Sequence, residues 1–197
     1  MTGRRFIVER YLIVGLGNPE PRYTKNRHNV GFMVLDQLAD DARISVTRSK
    51  FKGLYGTGEF GGKSVVLLKP LTFMNLSGRS VSPAAKFFGV PPERVMVIHD
   101  ELDLPYGTLR LKSGGGHAGH NGLRSMVAEL GDNGFQRLRV GIGRPVHGTV
   151  SNYVLADFSA GEERDWLPDL VERAANALET ALRLGMKAAM NEVHAKT

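Results

Sequence analysis

Two unbroken apolar runs do most to limit what this chain can fold into. "RYLIVGLG" (residues 10–17) ends on a glycine, and "RVMVIHDELDLP" (94–105) ends among carboxylates. A strand with one wet face alternates apolar and polar residues; a run without alternation must be covered on both sides. Helical patterns fall between and after these runs. "GFMVLDQLADDAR" (31–43) sets Val34, Leu35, Leu38 and Ala42 at helical spacing. "SGRSVSPAAKFFG" (77–89) predicts a helix stopped by Gly89, and "HNGLRSMVAELG" (120–131) one resting on Leu123, Val127 and Leu130 and closed by Gly131. "GLYGTGEFGGKSVVLLKP" (53–70) predicts a hairpin turning at Gly61 and Gly62. "TLRLK" (108–112) alternates like a half-exposed strand. "QRLRVGIG" (136–143) sends Leu138, Val140 and Ile142 inward and Arg137 and Arg139 outward. Ser159 with Glu162 makes a capping box, opening a long amphipathic helix that runs to Gly185 and is bent or restarted at Pro168. The expected fold is α/β, a single domain with a mixed central β-sheet and helices on both faces. In such sheets sites lie beyond the carboxyl ends of strands, which points to the polar loops after residues 17, 99 and 112.

Composition narrows the chemistry. The 197 residues are 42% hydrophobic, enough for one well-cored domain. The absence of cysteine excludes disulfides, thiolate nucleophiles and zinc–thiolate sites, and it fits a reducing cytoplasm. No apolar run approaches the roughly 18 residues of a spanning helix, so no membrane partner is expected. Glu9 and Arg10 interrupt the early apolar patch, which therefore reads as a strand and not as a signal peptide. The net charge is +6, yet residues 157–197 hold five basic against eight acidic side chains, so the preceding body is more basic than the whole. "RISVTRSKFK" (43–52) carries four cations and no anion; residues 105–145 carry six cations against Glu129 and Asp132. A polyanionic partner and a solvated basic surface both fit this charge.

Several familiar chemistries fail on spacing. "GLGNPE" has Glu20 where a dinucleotide fingerprint needs its third glycine, and Pro19 and Pro21 resist an immediate helix. "GGGHAGHNG" (114–122) lacks the Gly-Lys-Ser/Thr ending of a nucleotide loop; an anion cradle of backbone N–H groups and a flexible connector both remain open for it. His99, Asp100, His117 and His120 are metal-ligand types, but the H-x-x-H spacing sits in a glycine loop without H-E-x-x-H. No G-x-S-x-G marks a serine nucleophile. What stands is His28, set in "GNPEPRYTKNRHNVGF" (17–32), together with Asp100, Glu101 and Asp103 at the end of a buried strand. A carboxylate there can hold Nδ1–H of a histidine and leave Nε2 free to take a proton from water. Asn18, Asn75 and Asn121 lie in or beside loops at strand ends, where neutral amides can orient an acyl group and donate to an oxyanion. Each of these residues is also an ordinary loop or turn residue when taken alone.

The motifs "GLGNP…Y…RHNVG", "KPLTFMNLSG", "VIHDELDLPYG", "GGGHAGHNGLRS" and "RLRVGIGRP" stand in an order and spacing that resembles bacterial peptidyl-tRNA hydrolases over roughly residues 11 to 194. The resemblance implies a monomeric enzyme with a mixed central sheet, acting on the ester that joins a peptide to the 3′ end of tRNA; with no thiolate and no convincing histidine spacing no metal or cofactor is expected, and a cytoplasmic location is expected. It implies His28 as the base and Asp100 as its partner. Asn18, Tyr23, Met74, Asn75 and Asn121 match the family's substrate cleft, and Lys112 and Arg139 match its tRNA-phosphate contacts. Glu20 and Ala118 stand where the family usually has glycine, and Asn26 where it usually has threonine. Residues 1–10 are expected to form a disordered extension and residues 11–197 the hydrolase-like domain. A second reading, RNA binding without hydrolysis, is raised by a plant chloroplast splicing factor that resembles the same family. The presence of His28, Asp100 and all three asparagines favours the enzyme.

Overall fold

The computed structural model describes residues 9–195. Among these residues seven strands form one sheet: β1 (Arg10–Gly15), β2 (Arg48–Lys50), β3 (Gly53–Phe60), β4 (Lys63–Pro70), β5 (Val95–Glu101), β6 (Leu109–Ser113) and β7 (Gln136–Gly141). Their spatial order is β2-β3-β4-β1-β5-β7-β6. The four central strands β4, β1, β5 and β7 are parallel; β2–β3, β3–β4 and β6–β7 pair antiparallel at the two edges. The sheet is mixed and single, as the alternating pattern implied. The expected extension at residues 1–10 lies outside the described residues through residue 8, while Arg10, assigned to it by sequence, already opens β1 and bonds Ser64.

Both faces are covered. Ile13, Val65, Leu67 and Ile98 pack on helices α1 (Val30–Asp41) and α6 (Leu167–Leu184), with α7 (Met186–Ala195) beyond them. Leu12, Val14, Val66 and Val97 face α2 (Gly78–Phe88) and α3 (Asn121–Leu130). This is why the central strands show no alternation. It also corrects one expectation. Arg137 does not reach solvent: it is 3% exposed, because the face on which it lies is roofed by the glycine-rich loop, whose Gly115 and Gly116 carbonyls accept from its guanidinium.

Local expectations hold at most turns. Gly61 and Gly62 turn the β3–β4 hairpin with φ of +56° and +72°, and Gly89 ends α2 with φ +64°. The capping box at Ser159 and Glu162 is formed, but the expected long helix is divided: α5 (Ala160–Asp165) stops at Trp166, and α6 restarts with Pro168 in its first turn. Two short helices carried no readable signal, α4 (Val150–Val154) and α7 beyond Gly185.

The β2–β3 turn is unusual. Phe51 and Lys52 form its two-residue tip with φ of +57° and +52°. Such turns favour asparagine and glycine, and each bulky residue placed there costs about 1–2 kcal/mol.

Connectivity fixes where a ligand can enter. From β1 the chain passes over one face through α1 to reach β4, then returns over the other face through α2 to β5. The loops after β1 and β4 therefore diverge at the carboxyl end of the sheet, and a cleft opens there. Helix α1 closes on this end tightly. A Cβ on Gly31 would sit 2.5 Å from the carbonyl oxygens of Leu16 and Ile98, and one on Gly15 would sit 2.4 Å from the Gly31 carbonyl. All of these are backbone atoms with no room to yield. Gly31→Ala should therefore lower unfolding stability by about 1–3 kcal/mol, the range for overpacking. Urea unfolding monitored by circular dichroism would register this as a lower midpoint at unchanged slope.

Candidate active site

The polar loop after β1 divides into residues that build and one that is presented. Arg27 is buried; it donates to the carbonyl of Asp157 at 2.7 Å and pairs with Glu162 at 2.7 Å. Asn26 donates to the Leu155 carbonyl, and Asn29 exchanges bonds with Asn18, accepting from its N–H at 2.8 Å and donating to its carbonyl at 2.9 Å. These contacts fasten the loop to the segment before α5 and to the end of β1. His28, between Arg27 and Asn29, is held by them at the head of α1, facing the end of β5.

There its Nδ1 lies 2.8 Å from Asp100 Oδ1. A second imidazole meets the same oxygen: His120 Nε2 lies 2.9 Å from it. The tautomer of His120 follows from its other nitrogen. Nδ1 accepts from the backbone N–H groups of Gly122 and Leu123 at 3.1 and 3.3 Å, so His120 caps helix α3, and its proton resides on Nε2, pointing at Asp100. The carboxylate is thus braced by one ring from each side of the cleft. Its acceptor character places the His28 proton on Nδ1 and leaves Nε2 without a proton.

Electrostatics reinforce this arrangement. Burial works against the charged form of Asp100, but His28 and His120 outweigh it and hold the carboxyl well below the usual carboxylate range. Burial likewise opposes protonation of His28; the charge and hydrogen bond of Asp100 prevail and raise it above its ordinary 6.5. His99 behaves differently. Burial first, then the neighbouring His120, pushes it down to about 3, so it stays neutral while Nδ1 donates to the Asp100 carbonyl at 2.8 Å.

The cleft has a volume of about 590 Å³. Asn18, Tyr23, Met74, Asn75 and Asn121 all line it together with His28 and Asp100. Asn18 accepts from the Met74 N–H at 2.9 Å through Oδ1, which leaves its Nδ2 as a donor. Of the two other acids at the end of β5, Asp103 pairs with Arg144 at the rim, and Glu101 pairs with Arg139 at 2.9 Å. Lys112 and Arg139 do not line the cleft. They belong to the antiparallel pair β6–β7, joined through the glycine-rich loop and α3, where Arg110 lies opposite Arg139 and Lys112 opposite Arg137, so four cations share one face. Arg139 is committed to Glu101, whereas Lys112 lies exposed over Gly115.

Sequence reasoning passed over His120, Asn29 and Arg27. From sequence His120 reads as a metal-ligand type beside His99, Asp100 and His117; its position as the cap of α3 is the available signal. Among the described residues His28, Asp100 and His120 are also the group whose donor atoms, all within 4.8 Å of one another, could hold a metal ion. The ring nitrogens that face Asp100 are those that donate to it, so a cation would have to displace both hydrogen bonds that orient His28. Of the two departures from glycine, Glu20 has φ −67°, which any residue adopts, and its carboxylate pairs with Arg22 at 2.8 Å. Ala118 does carry strain, with φ +47°.

A sequence profile of the peptidyl-tRNA hydrolase family matches residues 12–197. The chain is 55% identical to the peptidyl-tRNA hydrolase of Geobacter sp. (strain M21), with 94% of this chain and 98% of that one aligned, and 49% identical to that of Mycolicibacterium vanbaalenii over 96% and 99%. The crystal structure of peptidyl-tRNA hydrolase from Acinetobacter baumannii superposes with a TM-score of 0.88 at 43% identity, covering 95% of each chain. The α/β sheet with its cleft at the strand ends is therefore that of a hydrolase fold known from crystal structures. The chain belongs to the peptidyl-tRNA hydrolase family.

The charge of Asp100 is what lifts His28. In Asp100→Asn the protonation midpoint of His28, followed by NMR of the ring protons, should fall toward or below 6.5. A midpoint equal to that of the wild type would exclude the partnership.

Proposed function

We propose that this protein hydrolyses the ester between a peptide and the 3′ end of tRNA, with His28 as general base and Asp100 as the group that orients it. The observation that carries the reading is the buried Asp100 carboxylate against His28 Nδ1, which frees Nε2 on the cleft side. The substrate class rests on family membership and on the cationic β6–β7 face.

The steps follow from the donor set. His28 Nε2 removes a proton from a water as its oxygen attacks the ester carbonyl carbon. The carbonyl electrons move onto oxygen, and an amide N–H of Asn18, Asn75 or Asn121 donates to the resulting oxyanion. When the tetrahedral adduct collapses, the bond to the tRNA 3′-oxygen breaks and that oxygen takes the proton held by His28. The products are a peptide acid and a free tRNA hydroxyl. The base contributes about 10²–10⁴-fold and an oxyanion donor about 10²–10³-fold. No nucleophilic side chain is used, since an alkoxide leaves more readily than an amine. No metal or cofactor enters these steps. RNA binding alone would have no use for a buried carboxylate braced by two histidines.

Cations outside the cleft would hold phosphates, which carry no base information, and so would accept many tRNAs. The chain acts in this reading as a monomer in the cytoplasm. Among the described residues no helix is long and apolar enough to cross a membrane.

His28→Ala should lower turnover of peptidyl-tRNA at least a hundredfold and leave tRNA affinity nearly unchanged. Single-turnover release of labelled peptide, paired with a tRNA-binding titration, checks both halves; near-normal turnover in the purified variant would exclude the assignment.

Lys112 and Arg139 should differ although the family resemblance matches both to phosphate contacts. Lys112→Ala should reduce the slope of log affinity against log salt by about 0.7–0.9, one phosphate's worth, with turnover at saturation unchanged. Arg139→Ala should also weaken turnover, because it strips Glu101 of its partner on the cleft floor. Salt titrations of binding beside steady-state kinetics separate the two.

A further inference from the structure

The two polymers joined by an ester leave the carbonyl in opposite directions. If tRNA departs toward the β6–β7 face, the peptide has to leave toward the other sheet edge, and the surface there has a distinct composition. Phe73 lines the cleft and is 56% exposed; Leu71, two residues before it, is exposed as well. The Leu71 N–H donates to the Lys52 carbonyl at 2.8 Å, so this apolar ledge runs onto the strained β2–β3 turn. The ring of Phe51, in that turn, lies 5.2 Å from that of Phe87, which is 59% exposed. Lys50 Nζ stands 3.7 Å from the Phe87 centroid.

Charge at this corner is uncompensated. Lys50, Lys52 and Lys86 are exposed, and the lysines that pair with carboxylates among the described residues are Lys25, Lys63 and Lys69 instead. Phe51 and Lys52 are themselves consecutive left-handed residues, neither a glycine; strain of this kind clusters at ligand-binding surfaces. The path from the cleft is short. Phe73 lines the cleft, and Leu71, two residues before it, is hydrogen-bonded to Lys52.

Resting on the hydrolase reading above, we propose that Phe73, Leu71, Lys52, Lys50 and Phe87 form a track for the peptide of the substrate, favouring apolar and acidic side chains several residues from the ester. An apolar ledge leading out of the cleft suits a peptide better than RNA, whose phosphates would meet no cation until the far end. Backbone-independent contacts with exposed rings and lysine stems suit a substrate of variable sequence. Lys50, Lys52 and Phe87, the residues to be varied, do not line the cleft that holds His28 and Asp100.

The experiment uses three substrates on one tRNA: an N-acetyl-aminoacyl ester, a ten-residue peptide with Asp and Phe in its distal half, and the same peptide with Lys and Ser there. The enzymes are the full chain, Lys50→Ala/Lys52→Ala, Lys50→Glu and Phe87→Ser. The wild type should prefer the acidic, apolar peptide over the basic one. Each variant should lower kcat/KM for that peptide about three- to tenfold, as expected for a few exposed contacts, and leave the acetyl-aminoacyl ester unchanged. Lys50→Glu should reverse the charge preference. Equal kcat/KM for both long peptides across all enzymes overturns the track. A loss of the same size on long and short substrates, with a smaller salt slope, overturns it in favour of an RNA contact. Unchanged kinetics with new self-association overturns it in favour of lysines that guard an edge strand. Failure of the wild type on the acetyl-aminoacyl ester would instead strike the hydrolase reading itself.

Discussion

Everything at the cleft depends on how closely helix α1 approaches the ends of β1 and β5. Gly31 lies against the Leu16 and Ile98 carbonyls, and Gly15 against the Gly31 carbonyl, at distances that exclude any side chain. This contact brings the head of α1 close to the end of β5. His28 and Asp100 are 72 positions apart in sequence, and their 2.8 Å separation is a property of that helix–sheet approach. Asn26, Arg27 and Asn29 secure the same geometry from the other direction by tying the loop to residues 155–162 and to Asn18.

A buried carboxylate is costly unless donors replace its water, and here two imidazole N–H groups do so. Their roles differ because their surroundings differ. His120 has its second nitrogen filled by the N-terminus of α3, so it acts as a fixed donor. His28 has its second nitrogen open to the cleft and can exchange a proton. The same carboxylate that is stabilised by the rings raises the proton affinity of the open one, so structural support and chemical activation arise from one contact.

The surface around the cleft divides by charge and polarity. On one side the antiparallel strands β6 and β7 gather Arg110, Lys112, Arg137 and Arg139 on a single face, with Arg137 turned under the glycine loop to hold it and Arg139 tied to the cleft through Glu101. On the other side exposed rings and unpaired lysines border the strained β2–β3 turn. A cleft between two such surfaces suits a substrate that is nucleic acid at one end and polypeptide at the other.

Much of the fold was legible from residues alone. Apolar runs without alternation gave the buried strands, Gly61 and Gly62 the hairpin, Gly89 and Gly131 the helix ends, and Ser159 with Glu162 the start of α5, because turns, caps and burial are encoded within a few neighbouring residues. The family motifs likewise marked His28, Asp100 and the cleft residues. The tertiary structure alone decided the rest. Arg137 reads as outward on a strand pattern, yet the loop at Gly115 and Gly116, 22 and 21 residues earlier, covers it. Trp166 halts a helix whose amphipathic pattern runs on, and α4 and α7 exist because the core and the β6 edge receive them. His120 reads as a loop histidine until the capping of α3 and the position of β5 set its proton toward Asp100. Short-range chemistry writes elements into sequence, but whether two polar groups meet depends on the packing of elements far apart in the chain, and no local pattern contains that distance.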